Sequence, residues 1–289
     1  MHDMRKTGKR DKTGHVRKIQ YITICSLIVM IAIVTAVMVN IRHLYGQKED
    51  EKQEKIQIVQ TEQDHKDITR LREQLIQYIK ENESSREDVG FYIEDLESGD
   101  SIELNGDQLY VAASTYKLPL AMVYYDHINA GKMSAEEYED LLNSMIVNSD
   151  NEAAEYLFDN LGGYDEFKRL IASYDDQQEA DPAYVSYENE FTPRNMGHIL
   201  GYLYHHKDAY DPLIKNMKAS MPGQFLDRNL NIYFAQKYGS YDWSYNAAGL
   251  SLTGHPYSIA IYTTLGDAGE TVIGDMNEIC FRYFNDSEE

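Results

Sequence analysis

The sequence predicts an α+β fold: a mainly antiparallel sheet flanked by helices plus a helical lobe, preceded by a single transmembrane helix. Three observations lead there. Strand-like alternation occurs at both ends of the outer part, near residues 89–104 and again within 232–264. The stretch between, about residues 114–217, carries helical spacing, and one more helical stretch closes the chain. An uncharged apolar run precedes all of this. Strands at the ends and helices in the middle suit a sheet with helices packed against it.

The N-terminal segments come first. Residues 1–18 form a basic tail with Arg5, Lys6, Lys9, Arg10, Lys12, Arg17 and Lys18. Residues 19–41 are the expected anchor. Within them, 22–39 is an uncharged, mostly apolar run of 18 residues, close to the length that crosses a bilayer. It is apolar on all sides, unlike an amphipathic core helix. The positive-inside rule keeps the tail in the cytoplasm and sends the bulk of the chain outward, giving a single-pass membrane protein. A cleaved signal peptide is the competing reading; its apolar region is normally shorter, and no clear small-x-small site follows Val39. Residues 42–66, with the run KEDEKQEK, read as a solvated charged stalk. Residues 67–289 form the outer domain.

Composition narrows the function. The chain of 289 residues has a net charge of −21, and from residue 42 onward it carries 20 basic and 46 acidic side chains. Such a surface repels phosphate backbones, which argues against nucleic acid as a partner. Cys25 lies in the apolar segment and Cys280 near the C-terminus, so no internal disulfide is expected. No His or Cys cluster has metal-ligand spacing, and the adjacent His205 and His206 point in different directions on a helix. No metal is expected.

Within the outer domain, Ile68, Leu71, Leu75, Ile76 and Ile79 have helical spacing. Val89, Phe91 and Ile93 alternate as a strand, residues 97–100 form a turn, and Ile102 and Leu104 begin the return. Three further strands are expected at residues 232–236, 246–252 and 257–264, then a helix over 270–284.

Three motifs carry chemistry. The first is Ser114-Thr-Tyr-Lys117, within VAASTYKLPL. A serine hydroxyl needs a base to become a good nucleophile, and a lysine three residues on shares its helical face. The apolar flanks lower a lysine's pKa, and Pro119 marks an early helical turn whose N–H groups suit an oxyanion. By itself the tetrapeptide also fits an ordinary capped helix. The second is Ser149-Asp-Asn151, which alone fits a helix cap. The third is Lys237-Tyr-Gly239, which suits an edge strand facing a cleft, with Gly239 allowing close approach; a plain surface lysine before a turn is the alternative.

Together the three stand in the order S-x-x-K, S-D-N, K-T-G, and the chain resembles the class A β-lactamase and penicillin-binding-protein superfamily. The segments VGFYIEDLESGDSIELNGDQLYVAAS, MIVNSDNEAAEYLFDNLGG, EFTPRNMGHIL and YNAAGLSLTGHPYSIAIYTTLGD extend the resemblance over about residues 67–287. It implies a β-lactamase/transpeptidase-like fold without a cofactor. It implies that Ser114 attacks the carbonyl of a β-lactam or a D-alanyl peptidoglycan stem peptide, and that Lys117 helps remove its proton. Ser149 relays a proton to the leaving nitrogen, with the charge of Lys237 nearby. Asn151, Tyr238, Gly239 and Ser240 line the substrate, and the N–H groups of Ser114 and Ser240 form the oxyanion hole. Tyr238 stands where the family has Thr or Ser, and no arginine lies between Lys237 and Tyr262. The stretch from Lys117 to Ser149 is short for the family. The E-x-x-L-N glutamate of the lactamases has no counterpart; Asp175, Asp176 and Glu179 lie near its expected position. A module that keeps this fold to bind or sense cell-wall ligands without turnover is the alternative function.

Overall fold

The computed structural model describes residues 68–82, 88–175 and 189–285. The basic tail, the expected anchor, the stalk, Asp176 and Glu179 lie outside the described residues. Among the described residues no helix is long and apolar enough to cross a membrane. The chain divides into Met1–Asp64 and His65–Glu289, and the described residues all belong to the second unit.

A helix over residues 68–81 (α1) opens the unit, burying Ile68, Leu71, Leu75 and Ile79. Strands β1 (Val89–Asp95) and β2 (Ser101–Leu104) form the hairpin that the alternation predicts. After β3 (Tyr110–Val111) the helical lobe follows: α2 (Lys117–Asn129), α3 (Ala135–Val147), α4 (Asn151–Leu161) and α5 (Gly163–Ile171). Then come β4 (Glu190–Phe191), α6 (Pro193–His205) and α7 (Asp211–Lys218). Strands β5 (Ala235–Tyr241), β6 (Ser244–Ser251) and β7 (Tyr257–Thr263) precede the closing helix α8 (Ala268–Asn285).

The five-stranded sheet has the order β2-β1-β7-β6-β5 and is antiparallel throughout. Its period-2 alternation divides two cores. Val89, Phe91, Ile93, Ile259 and Ile261 face α1 and α8, where Ile273, Met276 and the free thiol of Cys280 are buried. Ala248, Leu250, Ala260 and Tyr262 face α6 and the helical lobe. Because both faces are covered, the central strands are buried along their length rather than on alternate residues.

Two expectations shift. The strand expected at residues 232–236 lies at Ala235–Tyr241, and so runs through the third motif instead of ending before it. The turn after it contains no glycine; Asp242 takes its left-handed position at φ 52°, so the usual stop signal is missing. The β3–β4 ribbon, pairing Tyr110 with Phe191 and Val111 with Glu190, is an addition to the expected strands. Two-residue strands are too short to show a period.

Candidate active site

Ser114 lies in a 3-10 turn, Ala113–Tyr116, that leads directly into α2. The turn is fixed from several sides. Asn246 on β6 donates to Val111 O at 2.8 Å, and Ala112 N–H donates to Asn189 O at 2.8 Å. Thr115 Oγ1 donates to Ala112 O at 2.8 Å and lies 3.0 Å from the buried Tyr262 hydroxyl. These contacts hold Ala113 at φ 48°, left-handed backbone that a non-glycine residue adopts only under constraint.

The second motif divides its labour. Asp150 caps α4: its Oδ1 accepts from Glu152 N and Ala153 N at 2.9 and 3.2 Å, and its Oδ2 accepts from Ser144 Oγ at 2.9 Å. Those N–H groups, Ala153's first, hold the Asp150 carboxyl below its ordinary pKa. With the cap supplied by Asp150, Ser149 and Asn151 are free for other partners. Ser149 sits at φ 55°, which turns its hydroxyl away from the helix.

Those partners are lysines. Lys117, in the first turn of α2, is fully buried. Its ammonium donates to Ser149 O at 2.7 Å, Asn151 Oδ1 at 2.6 Å and Asp150 O at 3.3 Å, and it reaches Ser149 Oγ at 3.5 Å. Among the described residues no hydrogen bond joins it to Ser114 Oγ. Catalytic contacts in an unliganded site are often long and tighten with substrate. Burial pushes the Lys117 pKa down to about 8, opposed in part by the charge of Asp150.

The third motif lies on β5, an edge strand as expected. Lys237 is also fully buried; it donates to Ser149 Oγ at 3.1 Å and to Tyr238 O at 2.9 Å. Burial, and then the charge of Lys117, hold its pKa well below the ordinary lysine value. Gly239 packs against the Ser114 turn so closely that a Cβ there would lie 2.5 Å from Ser114 N and 2.9 Å from Ala112 O. Ser240 follows, exposed. The structure thus brings Ser149, Asn151, Lys117 and Lys237 into one network and sets Gly239 against Ser114. Tyr238 flanks this network, its ring 4.1 Å from Lys237 Nζ.

Of the acidic candidates after α5, Asp175 is described. It is buried, with Oδ2 accepting from Asn195 Nδ2 at 3.0 Å and Oδ1 paired with His198 Nδ1 at 2.7 Å. Both oxygens are therefore engaged by α6. Asn246, Thr115 and Asn189 carry no signal in the sequence, because each acts through a backbone carbonyl or a partner distant in the chain. Phe225, which packs on Tyr238 at 4.9 Å, escapes sequence reasoning for the same reason.

The model of the Beta-lactamase enzyme family matches residues 70–138 and 135–284, and the chain belongs to that family. Solved structures share the fold. A β-lactamase from Chitinophaga pinensis superposes with a TM-score of 0.64 at 22% identity, covering 75% of this chain and 100% of its own. One from Sphaerobacter thermophilus gives 0.58 at 23%, covering 67% and 90%. A mutant of PBP-A, solved as an acyl-enzyme complex with penicillin G, gives 0.63 at 20%, covering 75% and 97%. No curated protein sequence matches.

Proposed function

We propose that the protein is a serine acyl hydrolase that forms an acyl-enzyme at Ser114 with D-alanyl peptidoglycan peptides or β-lactams. Residues 19–41 anchor it in the membrane and the catalytic domain is extracytoplasmic. The observation that carries this reading is the Ser149 hydroxyl held between two fully buried lysines, 3.5 Å from Lys117 and 3.1 Å from Lys237. Burying one ammonium without a carboxylate costs several kcal/mol or lowers its pKa, so two such groups at one hydroxyl suit proton transfer better than stability.

In the proposed reaction Ser114 Oγ bonds to the substrate carbonyl carbon while neutral Lys117 takes the hydroxyl proton. The bond from carbon to the leaving nitrogen then breaks, Ser149 delivers its proton to that nitrogen, and Lys117 returns to Ser149 the proton it took from Ser114. Lys237 supplies positive charge beside the relay, Asn151 holds the substrate amide, and the N–H groups of Ser114 and Ser240 receive the oxyanion. Water later cleaves the acyl ester. Both Asp175 oxygens are engaged by Asn195 and His198, which favours a slow release of the acyl group.

Intact mass after incubation with a labelled penicillin and with a neutral serine-reactive probe tests the reading. A single adduct on the wild-type protein that is absent from Ser114→Ala supports it. Equal labelling of both proteins rejects it.

A further inference from the structure

We infer that this site acylates fastest with donors that carry no carboxylate beside the reacting carbonyl, that is, neutral esters, thioesters or amides, so that β-lactams and peptides ending in D-alanyl-D-alanine, which carry one, react at Ser114 more slowly. The inference rests on Ser114 being the nucleophile.

The wall beside the relay is aromatic. Lys237 Nζ lies 3.1 Å from Ser149 Oγ and 4.1 Å from the centroid of the Tyr238 ring, so that ring borders the reacting groups. Phe225 packs on Tyr238 at 4.9 Å, and Tyr245 continues from Phe225 at 6.3 Å with nearly parallel planes. An aromatic face carries negative potential, which attracts a cation and repels a carboxylate.

The donors of both lysines are already in use. An ammonium has three N–H groups. Lys237 donates to Ser149 Oγ and Tyr238 O, and its ammonium lies over the Tyr238 ring. Lys117 has four acceptors within reach for its three: Ser149 O, Asn151 Oδ1, Asp150 O and, at 3.5 Å, Ser149 Oγ. Neither lysine is exposed. A ligand carboxylate would have to break one of these contacts, whereas a neutral group need not.

The charges beyond the aromatic column are also unfavourable to an anion. The Tyr245 hydroxyl donates to Asp267. Arg228, just before β5, is held by Glu270 at 3.1 Å. No arginine occurs between Lys237 and Phe281.

The test uses two thioesters of N-acetyl-D-alanine, one on thioglycolate and one on its N-methylamide. In each, Ser114 Oγ would bond to the carbonyl carbon, the carbon–sulfur bond would break, and the thiol would leave with the proton. Full-length protein in neutral detergent is assayed at moderate salt, and each kcat/KM is normalised to that compound's hydroxide-catalysed hydrolysis. Ser114→Ala is the blank, and intact mass locates the acyl group. The expected result is a normalised preference of about tenfold or more for the amide. Tyr238→Thr should narrow that ratio. Equal rates, or preference for the carboxylate with Ser114 still acylated, overturn this inference while leaving the hydrolase reading intact. Absence of Ser114 acylation by either compound and by the serine-reactive probe overturns both.

Discussion

Lys117 and Lys237 converge on one hydroxyl, that of Ser149, although one lysine stands on α2 and the other on β5. A serine oxygen has two lone pairs and one proton. Lys237 donates to one lone pair at 3.1 Å, while Lys117 lies at the limit of hydrogen bonding at 3.5 Å. That placement suits the proposed relay from Lys117 through Ser149, and the fold sets it by docking an edge strand against the helical lobe.

Acylation should depend on pH through Lys117. Its pKa is lowered to about 8 by burial, and only the neutral amine accepts a proton. The rate of Ser114 labelling by a neutral probe should therefore rise as pH passes through about 8 and level off above it. Lys117→Arg, which stays charged, should lose about 100-fold or more at every pH in that range. A flat profile from pH 6 to 9 would remove Lys117 from this role.

Gly239→Ala should abolish most of the activity. The added methyl would lie 2.5 Å from Ser114 N, and the clash is with backbone, so no rotamer relieves it. Displacing the Ser114 turn also moves one of the proposed oxyanion N–H groups, a loss of about 100-fold or more. Stopped-flow acylation with circular dichroism as a folding control measures this; near-wild-type rates would show that β5 does not set the turn.

Asp175→Asn should act on stability. The buried carboxylate bonds His198 Nδ1 and accepts from Asn195, and losing a hydrogen bond to a charged group costs about 2 kcal/mol. Urea unfolding should show that loss. A variant of unchanged stability whose acyl-enzyme alone lives longer would instead make Asp175 the base that activates water.

Lys168 gives a stability effect with a definite sign. It is fully buried on α5, donates to Glu190 O at 2.9 Å, and burial lowers its pKa to about 8. An unfolded lysine titrates near 10.4, so between about 8 and 10.4 the unfolded chain binds more protons and stability rises with pH. Below about 8 both states are protonated and the cost of burial stands in full. Lys168→Met should reduce the gain in unfolding free energy between pH 7.5 and 10 by about 2 kcal/mol. An unchanged slope would contradict the lowered pKa.

Much of the fold and site is legible in the sequence. The alternation of Val89, Phe91 and Ile93, the helical spacing of Ile68 to Ile79, and the three motifs place the sheet, α1 and the network residues. The motifs are legible because each joins a polar residue to a local constraint visible in a few positions. The stop of β5 is not, because Asp242 does the work of a glycine. Tyr238 stands out as a departure, but its partner Phe225 lies thirteen residues earlier in a three-residue 3-10 turn, too short for any periodicity to mark it. The supports of the Ser114 turn are hidden because Asn246 and Asn189 bond to main-chain carbonyl or amide groups through contacts more than 75 residues away.

Ala113 and Ser149 hold φ values of 48° and 55° beside the two reactive hydroxyls. A β-branched side chain resists that region, so threonine at position 149 would keep the hydroxyl yet lose its aim. Conservative chemistry and conservative geometry therefore come apart at this site. A drifting lineage could preserve every functional group of the cleft and still fall silent through its main chain, which narrows the paths along which the activity can evolve.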